Sequence, residues 1–62
     1  MDSPMWTVWY GSIGLAPVYE GDEDSARRMI MTYYAATADV LLESPVGDLF
    51  AYEHGEWVPA DK

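Results

Sequence analysis

One segment, Glu23 to Thr37, sets Ala26, Met29, Ile30, Tyr33 and Thr37 three and four residues apart, the spacing that lines side chains along one side of an α-helix. A lone helix cannot bury that stripe against itself, so the remaining chain must supply a surface for it to lie on. The start of the helix is marked as clearly as its face. Asp22 is suited to the N-cap, and Glu23 and Asp24 place negative charge in the first turn, where the helix dipole favours it. Glu23 with Arg27 and Asp24 with Arg28 are carboxylate-first pairs four residues apart, each worth about 0.2 to 0.5 kcal/mol on an exposed face. Asp39 is expected to close the helix.

The flanking segments have a different period. Met5 to Tyr10 is rich in β-branched and aromatic residues, with Trp6, Val8 and Tyr10 on one face and Met5, Thr7 and Trp9 on the other. Gly11, Ser12 and Gly14 then allow a connection to Leu15–Glu20, whose Pro17 cannot donate to a ladder and therefore predicts an edge strand. After the helix, Val40–Glu43 runs into Ser44-Pro45-Val46-Gly47, which suits a type I turn followed by a left-handed glycine. Asp48–Glu53 returns from it. The pair His54-Gly55 then predicts a two-residue hairpin turn into Glu56–Val58, ended by Pro59. The expectation is an α+β fold, a small antiparallel sheet in ββαβββ or βαβββ order, with the amphipathic helix on one face. Residues 1–62 read as a single domain, with 1–4 a frayed leader.

At 62 residues without a cysteine, the chain has one core and no disulfide to reinforce it, which favours a reducing, cytoplasmic setting. Three tryptophans, five tyrosines, one phenylalanine and four methionines compensate, and they exceed what one helix on a small sheet readily covers, leaving some for an interface. The formal charge of −8, from eleven acidic residues against Arg27, Arg28 and Lys62, repels phosphate backbones and anionic membranes and would steer the protein toward a basic surface. Direct nucleic-acid binding and membrane association are not expected. No apolar run approaches the roughly 20 residues of a membrane span, and the N-terminus has no signal core.

Catalytic chemistry finds little to work with. The serines lie in turn or helix-start contexts, and the single histidine, His54, falls in a tight turn, so no nucleophile and base are paired by the pattern. Asp22, Glu23 and Asp24 lack the alternating spacing of a calcium loop and are explained by the helix start. Gly11, Gly14 and Gly21 do not form a phosphate-binding fingerprint. Neither a cofactor nor a metal is expected. The helix side opposite the apolar stripe carries Arg27, Met31, Tyr34 and Ala38, and Arg27, Met31 and Tyr34, together with Trp9 and Tyr19, are the candidate protein-contact surface.

Trp6 to Gly11 (W-x-V-x-Y-G), Ala26 to Arg28 (A-R-R) after an acidic helix start, Ser44 to Asp48 (S-P-x-G-D) and Gly55 to Pro59 (G-E-W-V-P) together resemble the small accessory proteins of actinobacterial phages, including mycobacteriophages. That resemblance implies a non-catalytic protein that binds and modulates a host or phage protein, in the host cytoplasm if viral. A homodimer is compatible with the excess aromatic area. The alternative expectation is a DNA mimic, whose carboxylates would occupy the basic groove of a nucleic-acid-binding protein.

Overall fold

The structure, a computed structural model, describes residues 4–37 and 39–60. Most of the expected leader and Ala38 lie outside the described residues. In chain order the elements are β1 (Trp6–Tyr10), β2 (Ala16–Gly21), α1 (Glu23–Tyr33), β3 (Val40–Glu43), β4 (Leu49–Glu53) and β5 (Glu56–Pro59). The strands form one five-stranded sheet in the order β2-β1-β3-β4-β5, and every hydrogen-bonded neighbour is antiparallel. The chain is therefore an α+β domain in the ββαβββ order. Because β2 and β3 both run antiparallel to β1, they run parallel to each other, and α1 carries the chain from one to the other across β1.

Alternation along each strand decides what α1 lies on. Val8, Val40 and Leu42 point to the helix, and with Ala26 and Ile30 they form the buried core, packed round by Trp6, Tyr19, Tyr34, Phe50, Tyr52 and Trp57. Fully burying a side chain such as Ile30, Leu42 or Val8 contributes about 1.5 to 3 kcal/mol. A core this small has few such contributions, so the aromatic collar around it matters for stability.

The turns form as their residues require. Asp22 caps α1 by accepting the Ser25 backbone N–H at 3.1 Å, which holds its carboxyl below the usual carboxylate range. The Ser44 carbonyl accepts the Gly47 N–H at 3.0 Å, and Gly47 takes φ +97°, the left-handed region expected of it. Ser44 is buried, and its Oγ accepts the N–H groups of Val46 and Asp48. His54 and Gly55 have φ values of 53° and 79°, positive at both central residues as a type I′ hairpin turn demands. Pro17 lies in edge strand β2, where the register with β1 shifts between Val8 and Trp9.

The helix departs from expectation in its end and its inner face. It stops at Tyr33 rather than Thr37, the Tyr34 N–H still bonding the Ile30 carbonyl at 2.9 Å before the chain turns. Thr37 then donates its N–H to the Tyr34 carbonyl and accepts the Asp39 N–H on its Oγ1. Asp39 therefore sits beyond the turn, where its carbonyl accepts the Gly11 N–H at 3.1 Å and ties the end of β1 to the start of β3. The buried stripe is centred on Ala26 and Ile30, and Tyr33 is 75% exposed. Tyr34, the C-cap, packs its ring 4.8 Å from that of Tyr10 on the sheet, while Tyr33, the last helical residue, faces water.

Candidate functional site

The five residues of the expected contact surface do not share one face. Arg27, Met31 and Tyr34 belong to α1 or its C-cap, Tyr19 packs beside the core on the helix side of β2, and Trp9 points away from the helix on the other side of the sheet. Of these five only Met31, at 43% exposed, stands substantially in solvent. Tyr34 is taken up by Tyr10.

Arg27 is the least foreseeable of them. Its guanidinium lies 5.4 Å from the ring centre of Trp6, 5.8 Å from that of Phe50 and 4.7 Å from that of Trp57, while its Nε donates to Glu23 at 2.7 Å. The helix side of β4 and β5 is thereby closed by a cation over aromatic faces, with Tyr52 and Trp57 also packed together at 4.8 Å. Arg28, by contrast, pairs with Asp24 in the open, at 2.7 Å. Both cations of the described residues are accordingly engaged on the helix side.

The opposite face of the sheet carries no helix among the described residues, and its apolar side chains Trp9, Leu41, Leu49, Ala51 and Val58 are half-buried. It presents Thr7 and Trp9 from β1, Pro17 and Glu20 from β2, Leu41 and Glu43 from β3, Leu49, Ala51 and Glu53 from β4, and Glu56 and Val58 from β5. The strand registers place them in rows: Glu20, Thr7, Glu43 and Leu49 in one, Pro17, Trp9 and Leu41 in the next, which continues through the facing pair Ala51 and Val58. Glu53 and Glu56 pair directly across β4 and β5 at the hairpin end. An oblique apolar band through Trp9, Leu41, Ala51, Leu49 and Val58 is thus bordered by Glu20 and Glu43 on one margin and by Glu53 and Glu56 on the other.

Two features of this face are unusual for a merely solvated surface. Like charges set directly opposite each other across a strand pair are destabilising, and among the described residues neither Glu53 nor Glu56 has a basic partner. Trp9 is held in place, its Nε1–H donating to Glu43 Oε1 at 2.8 Å, so the indole is anchored rather than loose. Strand alternation alone could have marked Trp9, Leu41 and Val58 as one face, but the sequence does not say which face the helix takes.

Among the described residues no three His, Asp or Glu side chains converge on a metal-sized site. A shallow concavity of about 390 Å³ is lined by Tyr19, Ser25, Arg28, Met29, Thr32 and Tyr33, and another, beside His54, by Ala35, Thr37, Tyr52 and Glu53. The acidic residues among those described lie at the helix start (Asp22, Glu23 and Asp24), on the second sheet face (Glu20, Glu43, Glu53 and Glu56), where the apolar band interrupts them, and in the connections at Asp39 and Asp48. That is unlike a continuous phosphate track. No helix of the described residues is long and apolar enough to cross a membrane.

No protein-family model, curated protein or solved structure matches the chain.

Proposed function

We propose that the protein is a non-catalytic acidic binding module that engages a protein partner through the open face of its sheet. What supports this most is the exposed Glu53–Glu56 pair beside a half-buried apolar band, because it places unfavourable like charge where a basic partner would relieve it. Such a module agrees with the resemblance to phage accessory proteins that modulate a host or phage protein, and with action in the cytoplasm of the host. The overall charge of −8 adds long-range steering toward basic partners. A homodimer through this face is less well supported, since a second copy would bring the same carboxylates against one another.

Affinity capture from an actinobacterial lysate, at low and high salt, tests this reading with two variants. Val58→Lys alters the open face, and Met31→Lys alters the exposed side of the helix; each is first shown to be folded by circular dichroism. The expected result is a captured protein that is released by salt and lost with Val58→Lys but retained with Met31→Lys. Capture that depends on Met31 and ignores Val58 would move the binding surface elsewhere.

A further inference from the structure

We infer that the occupant of the open face is an amphipathic helix of the partner, with an apolar stripe flanked on both sides by lysine or arginine; this rests on the open face being the binding surface. Three observations converge on it. The first is dimension. Five strands spaced about 4.8 Å apart give a band roughly 19 Å across, which a helix of about 13 residues spans at 1.5 Å per residue. The two acidic margins, four residues apart along the strands, stand about 13 Å from each other, and a helix with its side chains is about 10 to 12 Å wide. A helix laid obliquely on the band therefore has a carboxylate margin along each flank.

The second observation is charge. Glu20 and Glu43 border the band at β2 and β3, and Glu53 and Glu56 border it at β4 and β5, with Arg27 and Arg28 engaged on the other side of the sheet. A neutral apolar ligand would leave the Glu53–Glu56 repulsion in place, and an acidic one would add to it. Basic residues on both flanks of the helix would relieve both margins.

The third concerns the alternative of strand addition. Both outer strands carry proline, Pro17 in β2 at its register shift and Pro59 at the end of β5, so neither edge offers an unbroken ladder. A partner is directed onto the face instead of the edge. There it meets Trp9, an aromatic already fixed by Glu43, which loses little freedom when it is covered.

The test uses two designed helical peptides of about 15 residues, the length set by the width of the band. Each has a leucine and methionine stripe, flanked on both sides by lysine in one and by glutamate in the other. Amide shifts of the labelled protein are followed by NMR during titration. The lysine-flanked peptide should shift Leu41, Ala51 and Val58, bind about tenfold more weakly at high salt, and lose severalfold in affinity with the double variant Glu53→Gln and Glu56→Gln. The glutamate-flanked peptide should leave the spectrum unchanged. The inference is overturned if the lysine-flanked peptide does not bind, if both peptides bind alike, if the shifts map to Arg27 and Trp57, or if the face is occupied by a second copy of the chain. Lysate capture that still depends on Val58 while the peptides fail would reject the helix and keep the open face; loss of both would reject the surface itself.

Discussion

Arg27 sets its guanidinium 4.7 Å from the ring centre of Trp57, joining α1 to β5, although the helix packs mainly on β1, β2 and β3. The same group lies over Trp6 and Phe50, so one side chain ties the helix to the part of the sheet it does not cover.

Arg27→Ala should therefore destabilise the protein by about 1 to 2 kcal/mol, combining lost cation–π attraction with lost packing. Arg27→Lys should lose less, and Arg28→Ala, whose ion pair is exposed, should change stability by less than about 0.5 kcal/mol. Urea denaturation followed by tryptophan fluorescence measures all three. Equal effects at the two arginines would mean that the aromatic contacts contribute nothing.

Asp22 titrates below the ordinary carboxylate range because the charged form accepts the Ser25 N–H. With the folded-state value lowered, its contribution is fully present above the unfolded value and is lost as pH falls through the folded one. Asp22→Ala should lower Tm by about 5 °C at neutral pH. Asp22→Asn should keep most of that stability while removing the acid-dependent part, visible as a deficit relative to the parent that shrinks as melts go from pH 6 toward about 2.5.

At the β4–β5 turn a histidine occupies a left-handed position that asparagine accepts more readily. His54→Asn should stabilise by about 0.5 kcal/mol, whereas Gly55→Ala, at φ 79°, should destabilise by about 1 kcal/mol. Thermal melts of the two variants should shift in opposite directions.

Stability and binding are expected to oppose each other at the Glu53–Glu56 pair. Glu53→Lys converts a repulsive cross-strand pair into an attractive one and should stabilise the free protein by about 0.2 to 1 kcal/mol. It should also weaken capture of a basic partner. A variant that is both more stable and a better binder would contradict the role given to these carboxylates.

Much of the architecture was legible because its causes are local. The Asp22 cap, both ion pairs of α1, the Gly47 turn and the His54-Gly55 hairpin each depend on residues within a few positions of one another, and each forms as its chemistry requires. The helix end was not legible. Tyr34-Ala35-Ala36-Thr37 contains nothing that forbids a helix, and it turns where Tyr34 packs on Tyr10, a residue far away in the chain.

The candidate site divides in the same way. Alternation assigned Trp9 to the face opposite Trp6 and Val8, and composition announced more aromatic area than one helix would hide. That Arg27 would close over Trp6, Phe50 and Trp57 instead of lying free, and that Trp9, Leu41 and Val58 would lie on the side without the helix, followed from packing. An α-helix of eleven residues lies on one side of the sheet only, mainly over β1, β2 and β3, so the choice of side belongs to long-range contacts that no stretch of the chain encodes alone.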